Sequence, residues 1–284
     1  MTAVRVAALQ MRSGQSVARN VADFEALVRE AAGRGATYVQ SPEMTGALMR
    51  DRAALRAVLK PEGEDPVERA AGRLAAELGI VVHVGSTAIA RPDGKVANRA
   101  FLFGPDGGLL ATYDKIHMFD VDLDNGESWR ESATYEPGTA ATVVELPFGR
   151  LGMAVCYDVR FPQLFRAQAL AGAQILTAPA AFTRQTGSAH WHVLQRARAI
   201  ENGAFVVSAA QGGLHEDGRE TYGHSLIVDP WGRVVAEADH DEPGVVVADI
   251  DLAEVAEARG KIPNLKNARE FAVAHAGAAT AAGG

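Results

Sequence analysis

One thiol and three charged side chains stand where chemistry could be done. Cys156, the only cysteine in 284 residues, follows the apolar run Leu151 to Val155 and precedes a helix whose pattern starts near Pro162. A lone cysteine after an apolar strand is by default a small core hydrophobe. Three local features argue instead for a nucleophile: polar Tyr157, Asp158 and Arg160 follow it, Pro162 suits the first turn of a helix, and that helix aims its N-terminus at the sulfur. Free amide groups and the helix dipole there would favour the thiolate. A thiol nucleophile also needs a base for its proton and donors to hold an oxyanion. Glu43 ends ATYVQSPE and Lys115 ends LLATYDK, each directly after an apolar strand, where α/β folds present working side chains. Taken singly, each reads as a solvated charge at a strand end. Glu131, in SWRESATYEPG, lies in a loop and reads by default as surface.

Other chemistries have weaker support. His190 and His192, two of the eight histidines, are two apart on an expected helix and diverge from a common face; no Cys/His pairs have zinc spacing, so no metal is expected. The chain lacks the GxSxG elbow of a serine hydrolase. A formal charge of −7, with no Lys/Arg run interleaved with aromatics, argues against nucleic acid. No stretch approaches the roughly 18 apolar residues of a membrane helix, and MTAVRVAALQM reads as a strand. One cysteine makes no internal disulfide, so a reduced cytoplasm is the expected location.

The elements that must position these residues alternate between helix and strand. Ser16 caps a helix in which Val17, Val21, Phe24, Leu27, Val28 and Ala31 recur at helical spacing up to the GRG stop. Asp65, Pro66 and Gly79 bracket a second helix that turns Val67, Ala70, Leu74 and Leu78 inward. From residue 80 the pattern is β: IVVHVGSTAI, then NRAFLFGPDGGLLATYDK and ATVVELPFGRLGMAVCYD as hairpin-like units. Helices are expected at 162–172, where Phe161, Leu164, Phe165 and Ala169 share a face, and from Ser188 to Gly203. ILTAPAAF, AFVVSAAQ and GHSLIVDPWGRVVAEA supply further strands. No linker, charge block or internal repeat divides the chain, so one domain over 1–270 is expected, followed by a flexible Ala/Gly-rich tail over 271–284. Pattern alone supports a mixed α/β domain.

Four motifs in order, SPEMTG, YDKIHMFDVDL, ESATYEPG and CYDVRFPQL, resemble those of the nitrilase (carbon-nitrogen hydrolase) superfamily, over residues 4 to about 270. The resemblance implies a four-layer αββα sandwich, commonly paired into an eight-layer dimer through helices and the C-terminal segment, to which 251–270 would contribute. It also implies a catalytic set of Glu43, Lys115 and Cys156, with Glu131 supporting the lysine. Glu127 competes for that last role, but Glu131 stands six residues before Pro137, as the family motif requires.

Later segments, GSAHWHVLQRARAIENGAFVVSAAQ and YGHSLIVDPWGRVVAE, resemble the branch of deaminated glutathione amidases and omega-amidases. Aliphatic nitrilases usually carry Trp-Glu after the cysteine, where this chain has Tyr157-Asp158, and the lipoprotein acyltransferase branch carries membrane helices. The implied reaction is hydrolysis of the terminal carboxamide of a small α-keto acid through a thioester, without metal or organic cofactor. The runner-up is N-carbamoyl amidohydrolysis; the alternative outside enzymes is an inactive scaffold. The expected partners are a small-molecule amide and a second copy or more of the chain, with neither nucleic acid nor membrane. An anionic substrate calls for an arginine: Arg160 is the first candidate and Arg184 the second, with Tyr157, Phe182 and Thr183 shaping the pocket.

Overall fold

The computed structural model of the protein describes residues 3–123, 126 and 128–275. The first half builds one sheet and its helices: β1 (Ala3–Gln10), α1 (Val17–Gly33), β2 (Tyr38–Gln40), α2 (Arg52–Val58), β3 (Lys60–Pro61), α3 (Pro66–Leu78), β4 (Val81–Ala90), β5 (Val96–Phe103) and β6 (Leu109–Asp114). The caps are those of the sequence: Ser16 accepts from the Arg19 N–H, Asp65 from Val67 and Glu68, and Gly79 closes α3 in the left-handed conformation. A short ribbon of β7 (Asp120–Asp122) and β8 (Ser128–Arg130) follows.

A second sheet is then built from β9 (Thr142–Leu146), β10 (Gly149–Met153), α4 (Pro162–Leu170), β11 (Ile175–Thr177), α5 (Arg184–Asn202) and β12 (Phe205–Ser208). It is interrupted by the ribbon β13 (Gly212–Leu214) and β14 (Glu220–Tyr222), and completed by β15 (Leu226–Val228) and β16 (Val234–Glu237). The chain returns to the first sheet as β17 (Gly244–Asp251), and α6 (Ala253–Lys261) and α7 (Asn264–Asn267) follow.

Each sheet has a parallel centre with antiparallel flanks. The first runs β17-β1-β2-β4-β5-β6, with β3 beside β4, and the second β16-β15-β12-β11-β10-β9. β1, β2 and β4 are parallel, as are β10, β11 and β12. The same β-α-β-α-β path thus occurs twice, without a repeated sequence.

Side-chain alternation fixes the layers. From β1 and β5, Ala7, Leu9, Ala97 and Phe101 join Phe24 and Val28 of α1 and Leu74 of α3 in one core cluster. Their neighbours Val6, Ala8, Ala100 and Leu102 join Leu151, Met153 and Leu176 of the second sheet in another, which continues to Phe165 of α4 and Trp191 of α5. Two helix-covered sheets face to face make the four-layer αββα sandwich. Each fully buried large apolar side chain contributes about 1.5–3 kcal/mol against exposure, so the inner layer carries much of the stability.

Some boundaries differ from the sequence reading. α5 starts one turn before Ser188, because the Thr183 hydroxyl accepts from Thr186 and closes the earlier end. ATYVQSPE keeps only three residues as strand. Residues Cys156–Arg160 form a 3-10 turn before α4, which ends at Leu170. The tail over 271–284 falls largely outside the described residues. No described helix is long and apolar enough to cross a membrane.

Candidate active site

The candidate residues meet beyond the carboxyl ends of the parallel strands, where the two sheets face each other. Glu43 follows β2, Lys115 follows β6 and Cys156 follows β10. Gly85 lets the first of these settle: a Cβ there would lie 2.1 Å from the Ser41 carbonyl oxygen. The chain past Glu43 is then tied down, with Met44 at φ 55° and its N–H on the Ser86 hydroxyl at 3.1 Å. The 3-10 turn begins at Cys156 with φ 51°, a left-handed conformation that a non-glycine residue holds only when its surroundings fix it. Here the Cys156 N–H donates to the Pro179 carbonyl at 2.9 Å. Fully buried Asp158 accepts from the Val155 N–H at 2.9 Å, the Tyr113 hydroxyl at 2.7 Å and the His117 N–H at 3.0 Å. The turn is thereby locked to the first sheet.

Lys115, 2% exposed, donates to Glu43 Oε1 at 2.8 Å and to Glu131 Oε1 and Oε2 at 2.9 and 2.8 Å. Glu131 also accepts from the Phe119 N–H at 2.7 Å, and Glu43 Oε2 from the Ala181 N–H at 3.0 Å. Asn98 links the two carboxylates: its amide donates to Glu43 Oε1 at 2.9 Å and to Glu131 Oε1 at 3.1 Å. One ammonium between two carboxylates leaves the cluster with a formal charge of −1 when the sulfur is a thiol.

The electrostatics follow from burial and pairing. Burial pushes the Lys115 ammonium down, but Glu131 and Glu43 outweigh it and hold its pKa well above the usual lysine value. Burial pushes the Glu43 carboxyl up, yet Lys115, the Cys156 thiol and Asn98 leave it below the ordinary carboxylate value. Cys156 goes the other way. Burial and then the Glu43 carboxylate, which hydrogen-bonds the thiol, raise it well above the usual thiol value against Lys115. This corrects the expectation of a stabilised thiolate: the nearest anion and the loss of water outweigh the helix end, and the resting group is a thiol.

A cavity of about 260 Å³ opens on this cluster. Glu43, Lys115, Glu131 and Cys156 line it, together with Tyr157, Arg160, Phe182 and Thr183. Arg160 packs over the Phe182 ring at 5.3 Å and the Tyr157 ring at 5.9 Å. Arg184 lies elsewhere, paired with Asp241 at 2.9 Å on the surface. Glu127 lies outside the described residues.

A sequence model described as carbon-nitrogen hydrolase matches residues 5–260. The chain belongs to the carbon-nitrogen hydrolase family. This carbon-nitrogen hydrolase is 38% identical to the deaminated glutathione amidase of Yersinia enterocolitica, over 95% of this chain and 94% of that protein. It is 36% identical to omega-amidase NIT2 of Danio rerio, over 95% and 96% respectively. Among solved structures, the C. elegans NitFhit protein superposes with a TM-score of 0.86 at 34% identity, covering 94% of this chain and 65% of that longer one. Yeast Nit3, a member of the nitrilase superfamily, gives 0.83 at 27%, over 92% and 94%. A mutant of the amidase from Nesterenkonia sp. AN1 gives 0.78 at 26%, over 94% of each; it carries the acetamide moiety of fluoroacetamide covalently at its active-site cysteine.

Sequence reasoning missed several residues of the hydrolase's site. Asn98 had a signal: it is an uncharged polar residue in the otherwise apolar β5 segment VANRAFLF, apart from Arg99. Trp129, Tyr135 and Arg219 line the cavity, from loops and ribbons with no periodicity to read. His190 and His192 diverge on α5 as their spacing requires, His190 Nδ1 lying 3.3 Å from the Arg160 guanidinium and His192 turning to Glu237. His192 Nε2 and His224 Nδ1 share Glu237 Oε1 at 2.6 and 3.0 Å, which ties α5 to the second sheet.

Proposed function

We propose that the protein is a cysteine-dependent amidase that hydrolyses the terminal carboxamide of a small α-keto acid to a carboxylate and ammonia through a thioester. The observation that carries this reading is the convergence of Glu43, Lys115 and Cys156 on one cavity from separate parts of the chain. The names of the most similar relatives support the amide class.

Cys156 is the nucleophile and Glu43 the base. A high-lying thiol beside a low-lying carboxylate does not hand over its proton at rest, so transfer accompanies attack. As the S–C bond forms, the proton moves to Glu43 and the carbonyl electrons move to oxygen. The Lys115 ammonium and the Tyr157 N–H hold that oxyanion. Glu43 then protonates the leaving nitrogen, the C–N bond breaks, and a thioester remains. Water, deprotonated by Glu43, hydrolyses it and the sulfur regains a proton. Glu131 keeps Lys115 charged and oriented. Arg160, beside the nucleophile, takes the α-keto carboxylate, while Tyr157, Phe182 and Thr183 shape that end. The cycle uses no cofactor, and the protein acts as a homodimer or larger homo-oligomer in the cytoplasm.

Incubation with 2-oxoglutaramate, with mass spectrometry of the quenched enzyme and an ammonia assay, tests the reading. The expected result is a transient acyl adduct on Cys156 and stoichiometric ammonia; Lys115→Met lowers the rate about 10²- to 10³-fold, as losing an oxyanion donor does. An adduct elsewhere removes Cys156 from its role, carbon dioxide from an N-carbamoyl amino acid instead marks the carbamoyl reaction, and no turnover of any amide marks a scaffold.

A further inference from the structure

Away from the cavity, two imidazoles and a carboxylate converge from parts of the chain that no spacing rule connects. His192 lies in the middle of α5, His224 in the segment between β14 and β15, and Glu237 at the end of β16. His192 Nε2 is 2.6 Å and His224 Nδ1 3.0 Å from the same oxygen, Glu237 Oε1, and one ligand atom from each residue falls within 4.8 Å of the others. Tetrahedral zinc, with bonds of roughly 2.0–2.2 Å, sets neighbouring ligand atoms about 3.3 Å apart, so an ion fits by widening the two contacts to Oε1 by less than about 1 Å. The expectation of no metal rested on His190 and His192 diverging along one helix; the histidine that meets His192 comes instead from beyond the β13–β14 ribbon.

The rings are held in place before any ion arrives. His224 has φ 58°, a strained conformation for a residue with a Cβ, and its backbone is clamped on both sides. The Trp191 indole N–H donates to its carbonyl at 2.8 Å, and its own N–H donates to the His240 carbonyl at 3.3 Å. Tyr222 stacks on the His224 ring at 4.2 Å and stands edge-on to His192 at 6.0 Å. The two imidazole planes cross at 72°, which turns their nitrogens toward a common point instead of stacking the rings. The side chains of His192, His224 and Glu237 are 33%, 22% and 24% exposed, so an ion can enter and lose part of its water. The adjoining surface groove, which His224 also lines, presents Glu220, Asp239 and Asp241 against Arg184, an acidic mouth that draws cations.

We infer that His192, His224 and Glu237 bind a divalent zinc-class ion, with three protein ligands and a fourth position left to water. Two imidazoles and one carboxylate form the donor set that suits zinc and its transition-series neighbours, whereas calcium and magnesium call for oxygen ligands. Binding requires each imidazole to carry its proton on the far nitrogen, Nδ1 of His192 and Nε2 of His224, which frees the near nitrogens to donate electron pairs. The ion clasps α5, whose N-terminal end supplies Thr183 and Thr186 to the cavity wall, to β16 and to the segment leading into β15. The inference stands apart from the amidase reading.

Metal-stripped, tag-free protein titrated with zinc chloride by calorimetry, and with cobalt(II) by visible absorption, tests the site. The expected result is one equivalent of zinc per chain and, with cobalt, the intense visible bands of a low-coordinate ion. Cys156→Ser keeps both, which separates this site from the thiol as a competing ligand. His192→Ala and Glu237→Gln each weaken zinc binding by more than about 10²-fold, beyond the loss that follows removal of an outer-shell partner. Glu237→Gln keeps an acceptor for the imidazoles and serves if His192→Ala does not fold. No zinc uptake by the wild-type protein at about 100 μM, binding lost in Cys156→Ser, or undiminished binding in a folded His192→Ala or Glu237→Gln overturns the inference.

Discussion

Asn98 shows how a neutral side chain can govern two carboxylates. Its amide donates to both Glu43 and Glu131, and this donation helps hold Glu43 low. Asn98→Asp would replace a donor with a like charge within hydrogen-bond distance of both. A nearby anion raises a carboxyl pKa, so Glu43 moves up from its depressed position and is ionised only at higher pH. The acid limb of kcat/KM is expected to shift upward by about one unit or more, with a smaller upward shift in Asn98→Ala; a limb that stays in place would remove Asn98 from control of Glu43. At this scale the sequence revealed Cys156, Glu43 and Lys115 as candidates because each directly follows an apolar strand, but singly each also reads as a core thiol or a solvated charge, and only the four motifs in order joined them with Glu131. It misjudged the ionisation of Cys156, because the dominant neighbour, Glu43, is remote in the chain and invisible to a local dipole argument.

Among the elements, the turn after Glu131 links two strands to the site. In YEPG, the Glu136 N–H donates to the Val96 carbonyl at 2.8 Å and the Gly138 N–H to the Lys115 carbonyl at 2.8 Å. A Cβ on residue 138 would stand 2.1 Å from the Asp114 carbonyl oxygen, so only glycine lets the turn lie against the end of β6. Gly138→Ala is expected to displace Lys115, costing about 1–3 kcal/mol of stability as overpacking does and up to about 10²-fold in kcat through misplacement. Melting temperature and kcat measured together check this; wild-type values for both would show that the turn has slack. Helices α1 and α3 and the long strands β1, β4 and β5 were legible because each carries its own period and stop signal, whereas the short α2, though capped by Asp51, and the eight-residue β17 were not read from the sequence. The ribbons β7–β8 and β13–β14 were not, since three-residue strands hold only through contacts with the rest of the fold.

For the whole molecule, the proposed self-association has a surface to use. Val193 and Ile200, seven residues apart on α5, are 68% and 50% exposed, and Trp231 lies exposed in the turn whose Gly232 sits against Ile200. Val193→Glu is expected to shift sedimentation from dimer toward monomer; a wild-type monomer at micromolar concentration would dismiss the pairing. The closure of the first sheet has a different consequence. β1 is bordered by β2 on one side and on the other by β17, which pairs Ala3 with Asp251 through to Gln10 with Gly244. A ribosome must therefore polymerise nearly the whole chain before that border strand can dock, and until then the edge of β1 is open to intermolecular pairing. Biogenesis, more than the finished protein, is where a holdase chaperone would matter.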